Sequence, residues 1–279
     1  MTFNESYQNL LTSLQKIYPV GEAKSIIRII FEDVFKVYST DYQKIISPSE
    51  INQLAEIEER LLRNEPIQYI LGEADFYGLK FKVNSNVLIP RSETEELVLW
   101  ILESVPQKSN YTILDIGTGS GCIPITLHQK CTQWETWASD VSSEAIQIAK
   151  ENADLNQVDI NFLTFDILDP TQWQFEKKFN LIVSNPPYIP ENEKVLMPTN
   201  VLENEPHLAL FVDNQNPLIF YDTISDFALQ NLIPGGFLFF EMNEFNAKEV
   251  QDLLIKKNFQ NIEIQKDIYG KNRMIRAIL

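Results

Sequence analysis

From residue 111 onward, short β-branched runs alternate with helical patterns, and this grammar constrains the fold more than any other feature of the chain. The periodicities predict strands over 112–116, 136–140, 160–165, 181–184 and 237–242. Helices are predicted after Gly121 and over 145–155, 218–232 and 247–257, and residues 262–279 read as two final strands. Strands separated by helices pair in parallel, so the expected class is α/β around a parallel sheet.

The first seventy residues read differently. Leu10, Leu11, Leu14, Ile17 and Tyr18 line one helical face, and Ile26, Ile27, Ile30, Phe31, Val34 and Tyr38 line another. A third helix begins at Ser47-Pro48-Ser49-Glu50, where Ser47 caps, Pro48 suits the first helical position and Glu50 closes a capping box; it is predicted to run to about Arg63. Between Phe76 and Leu88 the period changes to two, which predicts a hairpin with its turn at Asn84-Ser85-Asn86. A helix over 93–104 follows Ile89-Pro90-Arg91-Ser92.

Composition excludes several classes. At 279 residues the chain exceeds the common domain size of about 100–200, favouring one large or two unequal domains. No apolar run approaches the roughly 18 residues of a membrane span, and the N-terminus has no leader pattern, so a cytoplasmic location is expected. Cys122 and Cys131 match neither a zinc nor a redox spacing and are expected as reduced core thiols, with no metal site. His128 and His207 are expected in structural roles. The net charge of −16, without a basic cluster, disfavours sequence-specific nucleic-acid binding.

Two stretches carry chemistry. Asp115-Ile116-Gly117-Thr118-Gly119-Ser120-Gly121 sits at a strand-to-helix turn, where glycines let the backbone pass close beside a nucleotide-like cofactor. Asp140 ends the next strand, placed to accept hydrogen bonds from ribose hydroxyls, and Asp166-Ile167 ends the third. Ligands of open α/β sheets bind outside the carboxyl ends of strands, so Gly117, Asp140, Asp166 and Asn185 are expected at one crevice. The second stretch is Asn185-Pro186-Pro187-Tyr188. Its prolines stiffen the loop and remove donors, leaving the Asn185 side-chain oxygen and nearby carbonyls as acceptors. Such acceptors can hold both hydrogens of a planar NH₂ group and aim its lone pair at a methyl group, with Tyr188 over the flat face.

These motifs resemble the Rossmann-like S-adenosylmethionine methyltransferases that modify amino or amide nitrogens. A narrower resemblance covers most of the chain. Arg63-Asn64-Glu65-Pro66-Ile67-Gln68-Tyr69-Ile70-Leu71-Gly72, Val87-Leu88-Ile89-Pro90-Arg91-Ser92-Glu93-Thr94-Glu95, Asn185-Pro186-Pro187-Tyr188-Ile189 and Glu205-Pro206-His207-Leu208-Ala209-Leu210 are similar to segments of HemK-type release-factor glutamine methyltransferases. The resemblance implies a helical substrate-recognition domain over 1–72, a β-hairpin linker over 73–90 and a catalytic domain over 91–279. It also implies S-adenosylmethionine held by Gly117, Thr118, Gly119, Ser120, Gly121, Asp140, Asp166, Ile167 and Asn185, with catalysis at Asn185, Pro186, Pro187 and Tyr188. The implied acceptor is the glutamine of the Gly-Gly-Gln motif in peptide chain release factors, free or ribosome-bound, methylated by a monomer. Where the family usually carries glycines this chain has Phe211-Val212-Asp213-Asn214, and Glu241-Met242-Asn243 replaces a Glu-Ile-Gly turn. Ser92 stands at a usual proline.

On this reading the amide nitrogen attacks the sulfonium methyl in line while Asn185 and the Pro186 carbonyl hold its hydrogens. Two rival readings are an amino-methyltransferase of adenine or guanine in DNA or RNA, and a non-catalytic cofactor-binding protein of the same fold.

Overall fold

The central strands are apolar at successive positions, as a sheet covered on both faces requires. In the computed structural model, which describes residues 1–106 and 110–279, the chain divides into two units. The first comprises Met1–Leu71 with Thr199–Asn204, and the second Gly72–Pro198 with Glu205–Leu279.

The first unit is built on α1 (Phe3–Leu14), α2 (Val20–Ile29), α3 (Pro48–Leu61) and the short α4 (Ile67–Leu71). Both long-helix starts that carry a capping box close it. Thr2 and Glu5 bond reciprocally around α1, and Ser47 and Glu50 do so around α3, satisfying backbone donors that a helix start leaves open. The apolar stripes meet in one cluster that includes Leu10, Leu14, Ile26, Ile27, Ile30 and Phe31. Two expected stripe members fall outside it: Ile17 is 39% and Tyr38 54% exposed. Helix α1 stops at Leu14, and after α2 the chain widens into a π-turn over Ile30–Val34, so helical spacing no longer applies at either residue.

The second unit begins with the hairpin β1 (Glu73–Phe76) and β2 (Leu79–Lys82). Phe76 pairs with Leu79, which places the two-residue turn at Tyr77-Gly78 and not at the predicted Asn84-Ser85-Asn86. Both turn residues have positive φ, +51° and +79°, the geometry that matches strand twist. Tyrosine seldom adopts that conformation, so the usual Asn-Gly signal is missing. The Asn84 side chain instead caps a separate turn, accepting from the Asn86 N–H at 2.9 Å.

There follow α5 (Ser92–Ser104), β3 (Thr112–Ile116), α6 (Cys122–Lys130), β4 (Glu135–Asp140), α7 (Ser143–Leu155), β5 (Asn161–Thr164), β6 (Phe179–Ser184) and β7 (Ile189–Pro190). Beyond α8 (Thr199–Asn204), which belongs to the first unit, come α9 (His207–Leu210), β8 (Phe211–Val212), α10 (Ile219–Asn231), β9 (Leu232–Glu241), α11 (Ala247–Lys256), β10 (Gln260–Lys266) and β11 (Asn272–Ile278). The main sheet has the order β10-β11-β9-β6-β3-β4-β5 and is parallel from β9 to β5, with β11 antiparallel to both its neighbours. Alternation assigns the faces. Ile113, Leu181 and Phe239 pack with Leu97 and Ile101 of α5, whereas Leu114, Ile182 and Phe240 pack with Ile224 and Phe227 of α10.

The hairpin is fastened to this sheet domain and is not a free linker. The fully buried Asn152 of α7 acts toward β2 as a neighbouring strand would. Its Oδ1 accepts from the Lys82 N–H at 2.6 Å, and its Nδ2 donates to the carbonyls of Lys82 at 3.0 Å and Ser120 at 2.9 Å. Asn156 adds a bond to the Lys80 carbonyl at 3.0 Å. Among the described residues no helix is long and apolar enough to cross a membrane. Removing a side chain that satisfies several backbone groups costs about 1–3 kcal/mol for each one left buried and unpaired. Asn152→Ala is therefore expected to lose roughly 2–4 kcal/mol in chemical denaturation, and an unchanged unfolding midpoint would show the hairpin to be held by other contacts.

Candidate active site

Register decides which loops meet. Ile116 of β3 pairs with Ser184 of β6 on one side and Ser139 of β4 on the other. The chain runs β3, β4, β5 outward and then returns across β3 to form β6, so the loops after β3 and β6 diverge and open a crevice between them. The Ser184 hydroxyl donates to the Ile116 carbonyl at 2.7 Å and locks the two strand ends together.

A cavity of about 320 Å³ occupies that crevice. Its wall contains Gly117, Thr118, Gly119, Ser120, Asp140, Asp166, Ile167, Asn185, Pro186 and Pro187, so most of the residues expected at one site do converge. Gly121 and Tyr188 are not on the wall. Gly121 precedes α6 with φ +80°, and a Cβ there would lie 3.0 Å from Ile125 Cδ1 and 3.2 Å from Ala149 Cβ, so close packing of α6 on α7 requires glycine.

The glycine turn is hydrogen-bonded within the protein at four of its N–H groups. The N–H groups of Gly117 and Thr118 both donate to the Ser139 carbonyl, that of Gly121 to Thr118, and that of Gly119 to Asp140 Oδ2 at 2.9 Å. A phosphate would find these donors engaged and two acidic side chains nearby. Open space beside Gly117 and Gly119, both at positive φ, instead leaves room for a ligand against the backbone. Asp140, whose Oδ1 also accepts from the Ser142 N–H at 3.0 Å, retains acceptor capacity toward the cavity. The Thr118 hydroxyl on the wall is buried without a partner. These acceptors and the hydroxyl suit a nucleoside's ribose, with Val141, Ile167 and Phe220 as apolar wall. Asp166 is less committed: its Oδ1 accepts from the Leu168 N–H at 2.8 Å, as a turn-forming aspartate does.

Around the Asn-Pro-Pro-Tyr loop the side chains form a chain of hydrogen bonds. Asn185 Nδ2 donates to Thr94 Oγ1 at 3.3 Å, the Thr94 hydroxyl donates to Glu241 Oε2 at 2.6 Å, and the Tyr188 hydroxyl reaches Glu241 Oε1 at 3.4 Å. Tyr188, expected over a flat ligand face, instead packs its ring into the apolar cluster beneath the loop. Beyond it, β7 and β8 pair in parallel, and Asn214 Oδ1 accepts from the Asn192 N–H at 2.9 Å. The segment Phe211-Val212-Asp213-Asn214 thus replaces a glycine loop with a short strand and a side-chain tether. The buried Glu205 accepts from the Ile89 N–H at 3.3 Å and from Arg91 at 2.5 Å, fixing two more wall segments to each other.

Thr94, Glu205 and Glu241 were not expected at the site. Thr94 and Glu205 lie inside the segments that carry the family resemblance, which was the available signal; Glu241 ends an apolar strand where the family's Glu-Ile-Gly turn begins, a signal that gives no role. Burial pushes the Asp115 carboxyl up to about 7, an effect the nearby Thr118 hydroxyl opposes without closing a hydrogen bond, and Asp140 adds like-charge repulsion. Burial likewise pushes Glu241 up to about 7, against its bond from Thr94 and the charge of Arg273. Burial raises the Cys122 thiol to about 12, and both cysteines are free and buried. Cys122 is thus an unreactive wall residue.

Comparison with known proteins agrees with this geometry. Residues 7–72 match the PrmC N-terminal domain and residues 96–208 the methyltransferase small domain. A release factor glutamine methyltransferase of Flavobacterium psychrophilum is 45% identical over 274 residues, 95% of each chain. One of Bacteroides thetaiotaomicron is 40% identical over 269 residues, 95% of this chain and 96% of that one. A solved methyltransferase from Pyrococcus furiosus shares the fold at a TM-score of 0.54 and 17% identity, covering 80% of this chain and 98% of its own.

The buried acids give a pH signature. Asp115 is held near 7 in the fold and returns toward its ordinary value of 3.8 on unfolding, so the folded state binds the extra proton between those values. Stability from this residue is therefore lost as pH rises across that window. Asp115→Asn lacks the loss, and its Tm is expected to gain at least about 2 °C on the wild type between pH of about 5 and about 8. A Tm difference that stays constant with pH would exclude it.

Proposed function

Because the chain belongs to the release factor glutamine methyltransferase family, we propose that it methylates the side-chain amide nitrogen of the glutamine in the Gly-Gly-Gln motif of peptide chain release factors, free or on the ribosome. Its cofactor is S-adenosylmethionine, which when bound supplies an electrophilic methyl group. The site's residues fit that cofactor: the N–H groups of Gly117, Thr118, Gly119 and Gly121 are engaged within the protein, which disfavours phosphate, and Asp140 borders the cavity as an acceptor. Gly117, Gly119 and Ser120 give the close backbone approach, Asp140 takes the ribose hydroxyls, and Thr118 offers the unpaired hydroxyl.

The observation that carries the acceptor side is the orientation of Asn185. Its Nδ2 is spent on Thr94, which leaves Oδ1 to accept one hydrogen of an entering amide, while the Pro186 carbonyl accepts the other. Pro186 and Pro187 keep the loop stiff, and Tyr188 anchors it from below through Glu241. An amide nitrogen held by both hydrogens presents its lone pair along the one axis normal to the amide plane, and one of those hydrogens leaves as a proton to solvent once the methyl is on nitrogen. Positioning of this kind is worth about 7–11 kcal/mol when the reacting atoms are well aligned. The same clamp suits a nucleobase amine, but a chain of net charge −16 lacks the electrostatic footprint that phosphate backbones require. The reaction belongs to the cytoplasm, where release factors act.

Two variants test the two halves of the site. Asn185→Ala is expected to retain S-adenosylmethionine binding in calorimetry through the remaining cofactor residues and to lose at least about 100-fold in methyl transfer to a release factor. Mass spectrometry is expected to find the methyl on the Gly-Gly-Gln glutamine; label appearing in RNA or DNA instead, or undiminished turnover of the variant, refutes the assignment. Asp140→Ala is expected to weaken cofactor binding by roughly 10- to 100-fold, since bonds to a charged group contribute about 1.5–3 kcal/mol. An unaltered Kd removes Asp140 from the cofactor set.

A further inference from the structure

Asn185 can serve as the clamp only if its amide is turned the right way round. A side-chain amide flipped by 180° would present NH₂ to the acceptor's own hydrogens and repel it. The loop alone does not decide between the two orientations, because oxygen and nitrogen occupy similar space.

We infer that Thr94, backed by Glu241, is the positioning residue that fixes the Asn185 amide with its oxygen toward the acceptor. The inference rests on the amide-holding role given above to Asn185, and proton counting carries it. Thr94 is 3% and Glu241 2% exposed, so neither turns to solvent for a partner. The Thr94 hydroxyl has one proton, and at 2.6 Å it goes to Glu241 Oε2. An ionised carboxylate is acceptor-only, so Thr94 Oγ1 is left with lone pairs alone and can only accept. The group facing it is Asn185 Nδ2 at 3.3 Å. The flipped amide would set Asn185 Oδ1 against those lone pairs, with no proton between two oxygens. The second oxygen of Glu241 is engaged by Tyr188 of the same loop, so the carboxylate is braced from both ends. Its place follows from the sheet: Phe240 pairs with Ser184, which brings Glu241 of β9 beside Asn185. Thr94 lies in the first turn of α5, its own N–H donating to the Arg91 carbonyl at 3.1 Å. Arg273 and Tyr188 favour the charged form of Glu241, and burial and Glu93 oppose it.

The test compares wild type, Thr94→Val, Thr94→Ser and Asn185→Ala at a pH of about 8.5, above the value of about 7 to which Glu241 is raised. Release factor and S-adenosylmethionine are the substrates, and kcat, KM, cofactor Kd and Tm are all measured. Valine keeps the shape but cannot relay the proton pattern. Thr94→Val is expected to lower kcat by roughly 10- to 100-fold, with KM for release factor and Kd for the cofactor within about threefold of wild type. Thr94→Ser, which restores the hydroxyl, is expected to recover kcat to within about threefold. The inference is overturned if Thr94→Val keeps wild-type kcat while Asn185→Ala is impaired. It is equally overturned if Thr94→Ser fails like valine, or if the valine variant loses cofactor binding and Tm together, which marks a packing role. Normal turnover by Asn185→Ala would instead remove the amide-holding reading on which the inference rests.

Discussion

The parallel pairing of β3 with β6 is the constraint on which the rest of the site depends. With Ile116 opposite Ser184, the glycine turn and the Asn-Pro-Pro-Tyr loop leave the sheet one strand spacing apart, about 4.8 Å, and on the same edge. A slip of one residue would turn every side chain of β6 to the opposite face, which the two apolar clusters forbid. Hydrophobic burial thus sets the separation between the cofactor turn and the acceptor clamp.

Much of this is legible in the sequence, for physical reasons that differ from element to element. Strands β3 and β6 are short apolar runs followed by residues that strands avoid, so their ends and the crevice beyond them can be placed from pattern alone. The Tyr77-Gly78 turn cannot, because nothing in a tyrosine announces positive φ. Neither can the hydrogen bond between Thr94 and Glu241, whose partners stand 147 residues apart and are joined only when α5 is laid against β9. The place of Tyr188 is hidden for a related reason: an aromatic beside a site reads as a stacking surface, and only the folded sheet brings Glu241 within reach of its hydroxyl.

The site also concentrates acids that the fold must hold at a cost. Asp115 and Glu241 lie at the ends of strands on either side of β6, both buried and both shifted toward the neutral form. A well-packed apolar pair would make a more stable protein at those positions. The acids persist where one lies beneath the glycine turn and the other orders a loop by deciding where protons sit, which separates the demands of stability from those of function residue by residue.

The internal hydrogen bonding of the glycine turn has a consequence for the thermodynamics of ligand capture. A loop in which the N–H groups of Gly117, Thr118, Gly119 and Gly121 donate to protein acceptors is already ordered before any ligand arrives. The conformational entropy of arranging that turn is therefore lost once, when the chain folds, and not again at each encounter. Association at this edge of the sheet should then proceed as entry into a preformed mould, with the free energy of contact going into affinity rather than into assembling the receptor.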